Sequence, residues 1–165
     1  MNQLDPEAFK HAFRHHPAGV AVISAASPDG PVGLTVSSVA SVSAAPPALL
    51  FSVTSRRGSA SRVLAAPSFV VNLLSADQVE IARSFAVPGA PRFTPEQGWR
   101  TLPGGEPVLP GVHAALLCEH LEHVEVGESI VVVAAVREIL ADAPRPPLVY
   151  VDRTFHALTA DTPLP

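Results

Sequence analysis

Hydroxyl side chains are concentrated in one apolar stretch of the chain, GLTVSSVASVSAAPPALLFSV, which runs from Gly33 to Val53. They are Thr35, Ser37, Ser38, Ser41, Ser43 and Ser52. A buried hydroxyl without a hydrogen-bond partner costs about 1–3 kcal/mol, so hydroxyls buried here need partners. Two neighbouring strands that carry TVSS and SVTS would line a groove suited to a flat heteroaromatic ring with carbonyl and nitrogen edges, such as a flavin. Hydroxyls bonded to water or to local backbone are the alternative.

A second polar cluster, TSRRGSAS at residues 54–61, directly precedes a predicted short helix. A helix N-terminus offers free N–H groups and the positive end of the helix dipole, and arginine adds forked donors that match phosphate oxygens. We therefore predict a phosphate-binding loop beside the groove, with Ser59 capping the helix. The alternative is an ordinary capped helix that follows a solvated loop.

The histidines and the single cysteine form no recognisable catalytic motif, because HExxH, CxxC and GxSxG are all absent. His120 and His123 are three apart and would point to opposite faces of a strand, so we interpret them as solvent-facing. The apolar positions change parity between Leu121 and Val124, which predicts a β-bulge. Cys118 lies among leucines, which is typical of a buried, inert thiol. We predict no metal site and no side-chain nucleophile.

Charge and hydropathy exclude several classes of protein. Eleven Lys and Arg against fifteen Asp and Glu give a net charge of −4 and no basic footprint for nucleic acid. No apolar run reaches the roughly 18 residues needed to span a membrane, and no signal-peptide pattern begins the chain. With one cysteine, we expect a cytoplasmic protein. A hydrophobic content of 47% with only 16% charged residues indicates that some apolar surface is buried against a partner subunit.

The predicted elements are mainly strands. DPEAFKHAFRHH predicts a helix capped by Asp5, and ADQVEIARSFA predicts another. VGLTVSSVASVS predicts one long strand, HAALLCEHLEHVEV and SIVVVAAVREIL predict two more joined at GE, and PPLVYVDRTFHAL predicts the last. Residues 87–110 predict a long loop around Trp99. Six or seven strands and two or three short helices predict a single mostly-β domain over residues 1–165, a barrel in preference to a sandwich.

These segments resemble the short-chain flavin reductases of two-component monooxygenases, which have the FMN-binding split-barrel fold. The resemblance covers about Phe9 to Leu158. It begins with HHPAGVAVISA, is strongest in VGLTVSSVASVSAAPPALLFSV, and continues through SFVVNLLSADQVEIARSFA. Later blocks are RF, W, PVLPGVHAALLCE, VGESIVVVAAV and PLVYVDRTFHAL. The resemblance implies a split β-barrel and a homodimer that holds FMN or FAD in a groove near the subunit interface.

The resemblance also implies a set of flavin-binding residues. In chain order they are Thr35, Ser37, Ser38, Ser52, Thr54, Ser55, Arg57, Ser59 and Phe85. By position, the first three flank the isoalloxazine ring, the next two contact its polar edge, and the following three hold phosphate. The phenylalanine packs near the cofactor.

One triplet departs from the family pattern and bears on nicotinamide binding. Where the family commonly has Gly-Asp-His, with the histidine facing the nicotinamide, this chain has Gly127, Glu128 and Ser129. His120 or His123 could fill similar space from the neighbouring strand. The departure concerns NAD(P)H and leaves the flavin residues unaffected.

The sequence therefore predicts an NAD(P)H:flavin oxidoreductase that supplies reduced FMN or FAD to a partner monooxygenase. Hydride would pass from nicotinamide to flavin, and the protein would align the two rings without a catalytic side chain of its own. One alternative is a split-barrel flavoprotein that acts on another substrate and does not use free NAD(P)H. A third hypothesis is a flavin- or haem-binding module without turnover.

Overall fold

The computed structural model of the chain describes residues 5–140 and 143–163, in which strand is the commonest secondary structure. The helices are α1 (Pro6–Arg14), α2 (Ser59–Ala65) and α3 (Val79–Ala86). The strands are β1 (Ala18–Gly19), β2 (Ala21–Ala25), β3 (Val32–Val36), β4 (Ala40–Ala44), β5 (Pro47–Val53), β6 (Ser68–Leu73), β7 (Arg100–Thr101), β8 (Pro107–Val108), β9 (Ala114–Val126), β10 (Ser129–Leu140), β11 (Leu148–Val151) and β12 (Thr154–Ala157). The predicted mostly-β class with two or three short helices is confirmed. That residues 1–165 form one domain stays a prediction, and none of the described helices is long and apolar enough to cross a membrane.

Seven strands form one antiparallel sheet in the order β3-β2-β6-β9-β10-β5-β4. Its longest strands, β9 and β10, meet at the predicted turn, where Gly127 has φ +60°, a conformation that glycine adopts without a Cβ clash. Val133 pairs with Glu122 and the next residue, Ala134, pairs with His120. Leu121 therefore has no partner, and the register shifts by one residue there. The β-bulge predicted from the change of parity is therefore confirmed.

The chain between β3 and β4 crosses from one end of this sheet to the other. The prediction of one strand over VGLTVSSVASVS is wrong, because β3 pairs with β2 whereas β4 pairs with β5. At the crossing, Ser38 Oγ accepts a hydrogen bond from the Ser52 N–H at 2.9 Å and donates one to the Ser52 carbonyl at 3.1 Å. These two bonds, here called the serine clasp, hold the chain after β3 against β5, as a split barrel requires.

Two helices cover opposite faces of the sheet. Helix α2 places Val63 in the interior core beside Phe51 and Phe69, whose ring centroids are 5.5 Å apart. Helix α3 places Ala82 and Phe85 in a second core on the other side. Because β2 contributes to both cores, all five of its residues are buried.

A buried polar network ties the middle of the sheet to the long loop. The Asn72 side chain is fully buried, and its Nδ2 donates to the Val22 carbonyl at 3.0 Å and to Ser24 Oγ at 2.9 Å. Its Oδ1 accepts a hydrogen bond from the Leu109 N–H at 2.9 Å, and Ser24 Oγ donates to the Pro107 carbonyl at 2.6 Å. Every group of this network has a partner, so it fixes where the loop returns to the sheet without a desolvation penalty.

The C-terminal segment is a hairpin, so the prediction of one last strand over PPLVYVDRTFHAL is also wrong. Asp152 and Arg153 have φ values of +47° and +61° and form the tight turn between β11 and β12. Positive φ at both central positions is the geometry of a type I′ turn, which Asp tolerates. The hairpin pairs with β1 through β11 and presents its turn beside the N-terminal helix.

Candidate cofactor groove

A groove of about 1230 Å³ opens beside the serine clasp. Three predicted flavin residues line it, namely Ser37, Ser38 and Ser52. Helix α1 forms a second wall, and Tyr150 and Arg153 of the C-terminal hairpin form a third. The crossing between β3 and β4 thus brings Ser37 and Ser38, which follow β3, beside Ser52 of β5. Tyr150 and Arg153 were not assigned from the sequence, because their position depends on a hairpin that was predicted as a strand.

The hydroxyls of the opening stretch divide into structural and available groups. Thr35 Oγ1 donates to the Ala82 carbonyl of α3 at 2.7 Å, and Ser38 forms the clasp. Within the described residues, the Ser37 and Ser52 hydroxyls have no hydrogen-bond partner and remain free to bind a ligand. Thr35 and Ser37 also line an adjoining groove of about 610 Å³ that shares Tyr150 with the first.

The predicted phosphate loop is exposed and open. Ser55 Oγ accepts a hydrogen bond from the Arg57 N–H at 3.1 Å, which shapes the loop before α2. Ser59 is the first residue of α2 and not its cap, so that prediction is wrong. The N-cap is Gly58, at φ +59°, and it provides no side chain to occupy the first N–H groups of the helix. Those N–H groups stay available to an anion.

Ser59 instead contacts an arginine that the sequence analysis left unassigned. One guanidinium nitrogen of Arg92 donates to Ser59 Oγ and to the Gly33 carbonyl, both at 3.0 Å. The other two nitrogens donate to the carbonyls of Ser84 at 3.1 Å and Val87 at 3.0 Å. Arg92 therefore holds β3, α3 and α2 together at the phosphate loop. It belongs to the RF block, but its role depends on a contact with a residue 33 positions away.

The surroundings of Arg92 are electropositive. Burial lowers its pKa, and the nearby charge of Arg62 lowers that pKa further. Among the described residues, neither these two arginines nor Arg57 forms a salt bridge, whereas neighbouring Arg56 pairs with Glu125 at 2.6 Å. Positive charge without a carboxylate partner, next to free helix N–H groups, suits a phosphate.

Comparison with known proteins places these features in a family. The profile of the flavin reductase like domain matches residues 13–159 of this chain. The chain belongs to that family. It is also similar to the NADH:FMN oxidoreductase of Rhodococcus erythropolis, with 34% identity over 155 residues that cover 92% of this chain and 81% of the relative. The reductase component of 4-hydroxyphenylacetate 3-monooxygenase from Pseudomonas aeruginosa is 35% identical over 164 residues, or 96% of each chain.

Solved structures of the family have the same fold. A flavin reductase domain protein from Arthrobacter sp. FB24 superposes with a TM-score of 0.88 at 30% identity, over 98% of both chains. The NADH:FAD oxidoreductase of Streptomyces globisporus, in complex with NAD and FAD fragments, superposes with a TM-score of 0.87 at 26% identity, over 99% of this chain and all of that one. The split-barrel prediction thus agrees with the flavin reductase structures.

In this flavin reductase domain, Phe85 is a core residue. Its side chain is 2% exposed, and its ring lies 4.9 Å from that of Phe93 and 5.4 Å from that of Trp99. Phe85 is not among the residues that line the two grooves, and its predicted contact with the cofactor stays a prediction. Its ring packs against Gly33 of β3, where a Cβ would lie 2.9 Å from it, and lies 5.5 Å from the Arg92 guanidinium carbon.

Ser129 and Thr54 lie at one end of the β5–β10 pair. Ser129 begins β10, and the next pair is Ile130 with Val53, so Ser129 is placed beside the start of the phosphate loop. Neither Ser129 nor exposed Thr54 lines the two grooves of the single chain. The nicotinamide role of Ser129 and the flavin role of Thr54 stay predictions.

The β-bulge at Leu121 brings His120 and His123 together. His123 Nε2 lies 2.9 Å from His120 Nδ1, and the His120 ring packs 4.7 Å from that of Phe69. The interpretation of His120 as solvent-facing is wrong, and burial lowers its pKa, with a further contribution from His123. In the parts of the chain that the structure describes, no three His, Cys, Asp or Glu residues are grouped to hold a metal ion.

Cys118 is a buried thiol, as predicted. It is fully buried in the interior core of the flavin reductase domain, and burial raises its pKa to about 12. Because a thiolate is the reactive form, this cysteine is inert in the folded protein.

The raised pKa of Cys118 predicts a pH-dependent contribution to stability. The stabilisation from keeping the thiol neutral is complete below the pKa of the unfolded chain, about 8.5, and is lost as pH rises through the folded value. We expect the stability advantage of wild type over Cys118→Ala to shrink by roughly 2 kcal/mol between pH 8 and 10.5. Urea unfolding of both proteins at several pH values measures it, and a constant difference would contradict the buried-thiol argument.

Proposed function

We propose that this chain is an NAD(P)H:flavin oxidoreductase that supplies reduced FMN or FAD to a flavin-dependent monooxygenase. The observation that carries the proposal is the groove beside the serine clasp. It combines free hydroxyls at Ser37 and Ser52 with an aromatic wall at Tyr150, and an electropositive corner lies around Arg92. The names of the relatives, an NADH:FMN oxidoreductase and the reductase components of monooxygenases, support it.

The residues present fit a flavin nucleotide. Ser37 and Ser52 would offer hydrogen bonds to the polar edge of the ring. Arg57 and Arg92, which form no salt bridge among the described residues, would place positive charge near a phosphate bound at the loop before α2. A bound flavin would supply the acceptor for the hydride of NAD(P)H. The side chains bind and orient the two ligands and exclude water between them, and none of them is required as a nucleophile or general base.

The reduced flavin would leave the groove and reach the monooxygenase by diffusion. The groove is lined on one side by α1, whose residues are all exposed, so a ligand can leave without unfolding a buried element. We place the activity in the cytoplasm, because Cys118 is a free thiol and NAD(P)H is available there.

Two measurements test the function. Titration of the protein with FMN and with FAD, followed by flavin fluorescence, should give saturable quenching by at least one of them at tens of micromolar, about −6 kcal/mol. Aerobic oxidation of NADH or NADPH should then depend on added flavin. Absence of quenching would remove the flavin assignment, and quenching without NAD(P)H oxidation would favour the flavoprotein that uses another substrate.

One observation favours the alternative function, a flavoprotein that acts on another substrate and does not use free NAD(P)H. It is the serine at position 129. If Ser129 takes the place of a nicotinamide-binding imidazole, the wild type should oxidise NADH with a high KM. Ser129→His should lower KM several-fold and change kcat less, because such a contact binds ground state and transition state alike. Steady-state kinetics on both proteins measure this. An unchanged KM would show that position 129 has no part in nicotinamide binding.

We further propose that the chain is a homodimer. Val124 of β9 pairs with Val131 of β10, which pairs with Ser52 of β5, so an apolar row leads across the outer face of the sheet to the groove. Val124 is 42% exposed, and Val126, which shares its face two residues further along β9, is 63% exposed. A dimer that buried this face, over about 2,000 Å² or more, would remove it from water and place the groove at the interface.

The variant Val124→Glu should disrupt that dimer. A charge placed in an apolar interface must be desolvated, so we expect a monomer at micromolar concentration where wild type is a dimer. Leu158→Glu is the matched control, since Leu158 is 49% exposed but follows β12, which belongs to the separate three-stranded sheet. Light scattering reads out both. A monomeric wild type, or a dimeric Val124→Glu, would count against the proposal.

A further inference from the structure

A separate cavity of about 360 Å³ lies at the opposite end of the β2–β3 hairpin from the cofactor groove. Ser27 and Gly30 of the hairpin turn line it, whereas Thr35 and Ser37 line the grooves at the other end of β3. Five strand residues at about 3.3 Å each separate the two ends. The cavity, here called the Trp99 pocket, therefore shares no lining residue with the groove beside the serine clasp. It is of a size that holds a single-ring ligand.

Two aromatic rings form one wall of the Trp99 pocket. The rings of Phe93 and Trp99 are 4.8 Å apart, and Phe85 packs behind both. Trp99 Nε1 donates to Gln97 Oε1 at 3.0 Å, so the polar edge of the indole is already satisfied. What this wall offers to the cavity is aromatic surface, which favours a planar partner by stacking or edge-to-face packing.

The aromatic wall is held by an unusual backbone. Phe93 has φ +55°, in the left-handed region that bulky side chains rarely adopt. Strained conformations persist where the surrounding structure fixes them, and they are concentrated at ligand sites. Here Arg92, the preceding residue, is fixed by hydrogen bonds to β3 and α3. These bonds hold the backbone at Phe93 and so fix the position of its ring.

The charge of the pocket selects the sign of its ligand. Among the residues described, Arg100 is the one charged side chain that lines the cavity, and it forms no salt bridge in the described part of the chain. Thr101, next to it on β7, adds a hydroxyl. A guanidinium without a carboxylate partner, beside a hydroxyl, matches a carboxylate group.

We propose that the Trp99 pocket binds a small aromatic carboxylic acid. Its ring packs against Phe93 and Trp99, and its carboxylate pairs with Arg100. The proposal does not depend on the flavin reductase activity, because it concerns a different cavity with its own lining.

The test uses the intrinsic fluorescence of Trp99, which is the single tryptophan of the chain and forms the wall of the pocket. Benzoate is the probe, with benzamide as the uncharged aromatic and cyclohexanecarboxylate as the charged non-aromatic comparison. Benzoate should change the fluorescence saturably and bind at least tenfold more tightly than either comparison compound, since each lacks one of the two contacts.

Two variants assign that binding to the pocket. Arg100→Gln should lose about tenfold or more in benzoate affinity and leave benzamide binding unchanged. Arg137→Gln is the matched control, because Arg137 lies on β10 and pairs with Glu119, and it should bind benzoate as wild type does. No saturable change up to about 10 mM benzoate, or equal benzoate affinity in Arg100→Gln and wild type, would overturn the proposal.

Discussion

Replacing Arg92 with methionine will lower the free energy of unfolding by about 2–4 kcal/mol and will weaken FMN binding about tenfold or more beyond any effect on riboflavin. Methionine keeps much of the side-chain length but no donor, so the carbonyls of Gly33, Ser84 and Val87 lose their partner. FMN differs from riboflavin by its phosphate. The loss of FMN affinity beyond the loss of riboflavin affinity therefore measures the effect of the Arg92 charge on the phosphate, apart from the structural contacts of Arg92.

Two controls make the Arg92 result specific. Arg92→Lys keeps the positive charge but cannot make all four hydrogen bonds, so it should lose stability while retaining most of the preference for FMN over riboflavin. Arg137→Met removes an exposed arginine elsewhere and should change stability by less than about 1 kcal/mol. Urea unfolding and fluorescence titration give the values. Equal losses for FMN and riboflavin in Arg92→Met would place the phosphate away from this corner.

The second large effect is expected at Phe85. Phe85→Ala should destabilise the protein by about 3–5 kcal/mol, because a fully packed aromatic ring is removed and the rigid neighbours cannot fill the cavity. The ring is 2% exposed and contacts Phe93, Trp99 and the Arg92 guanidinium. Chemical denaturation of Phe85→Ala and of Leu158→Ala, an exposed leucine, measures the contrast. A loss below about 1 kcal/mol would show that the second core is not packed as described.

Flavin binding by a milder variant separates the core role of Phe85 from a cofactor contact. Phe85→Leu keeps most of the volume and should remain folded. If Phe85 acts only from the core, this variant binds riboflavin within about threefold of wild type. A much larger loss of riboflavin affinity with little loss of stability would instead support the direct contact implied by the family resemblance.

Local patterns were sufficient for much of the fold. The N-terminal helix with Asp5 as its cap, the β9–β10 turn and the bulge at Leu121 all follow from short-range signals. Each depends on capping, turn geometry or alternation, which involve residues close together in sequence. The serines of the groove were found in the same way, because their density in an apolar stretch is itself local.

The errors occurred where the decisive contact is distant in sequence. VGLTVSSVASVS is uniform in composition, so it contains no sign that Ser38 leaves β3 to bond Ser52 on the other side of the sheet. Ser59 has a side chain suited to a helix cap, but its hydroxyl accepts a hydrogen bond from Arg92. The N-cap is Gly58 instead.

The two fixed ends of the long loop have a consequence for how this protein can diversify. Arg92 fastens the beginning of the loop to β3 and α3, and Leu109 fastens its return through the buried amide of Asn72. Between these anchors, Arg100 and Thr101 are exposed, and replacing exposed loop residues leaves both anchors in place. The side chains at positions 100 and 101 can thus change, and with them the ligand preference of the Trp99 pocket, while the groove beside the serine clasp is retained.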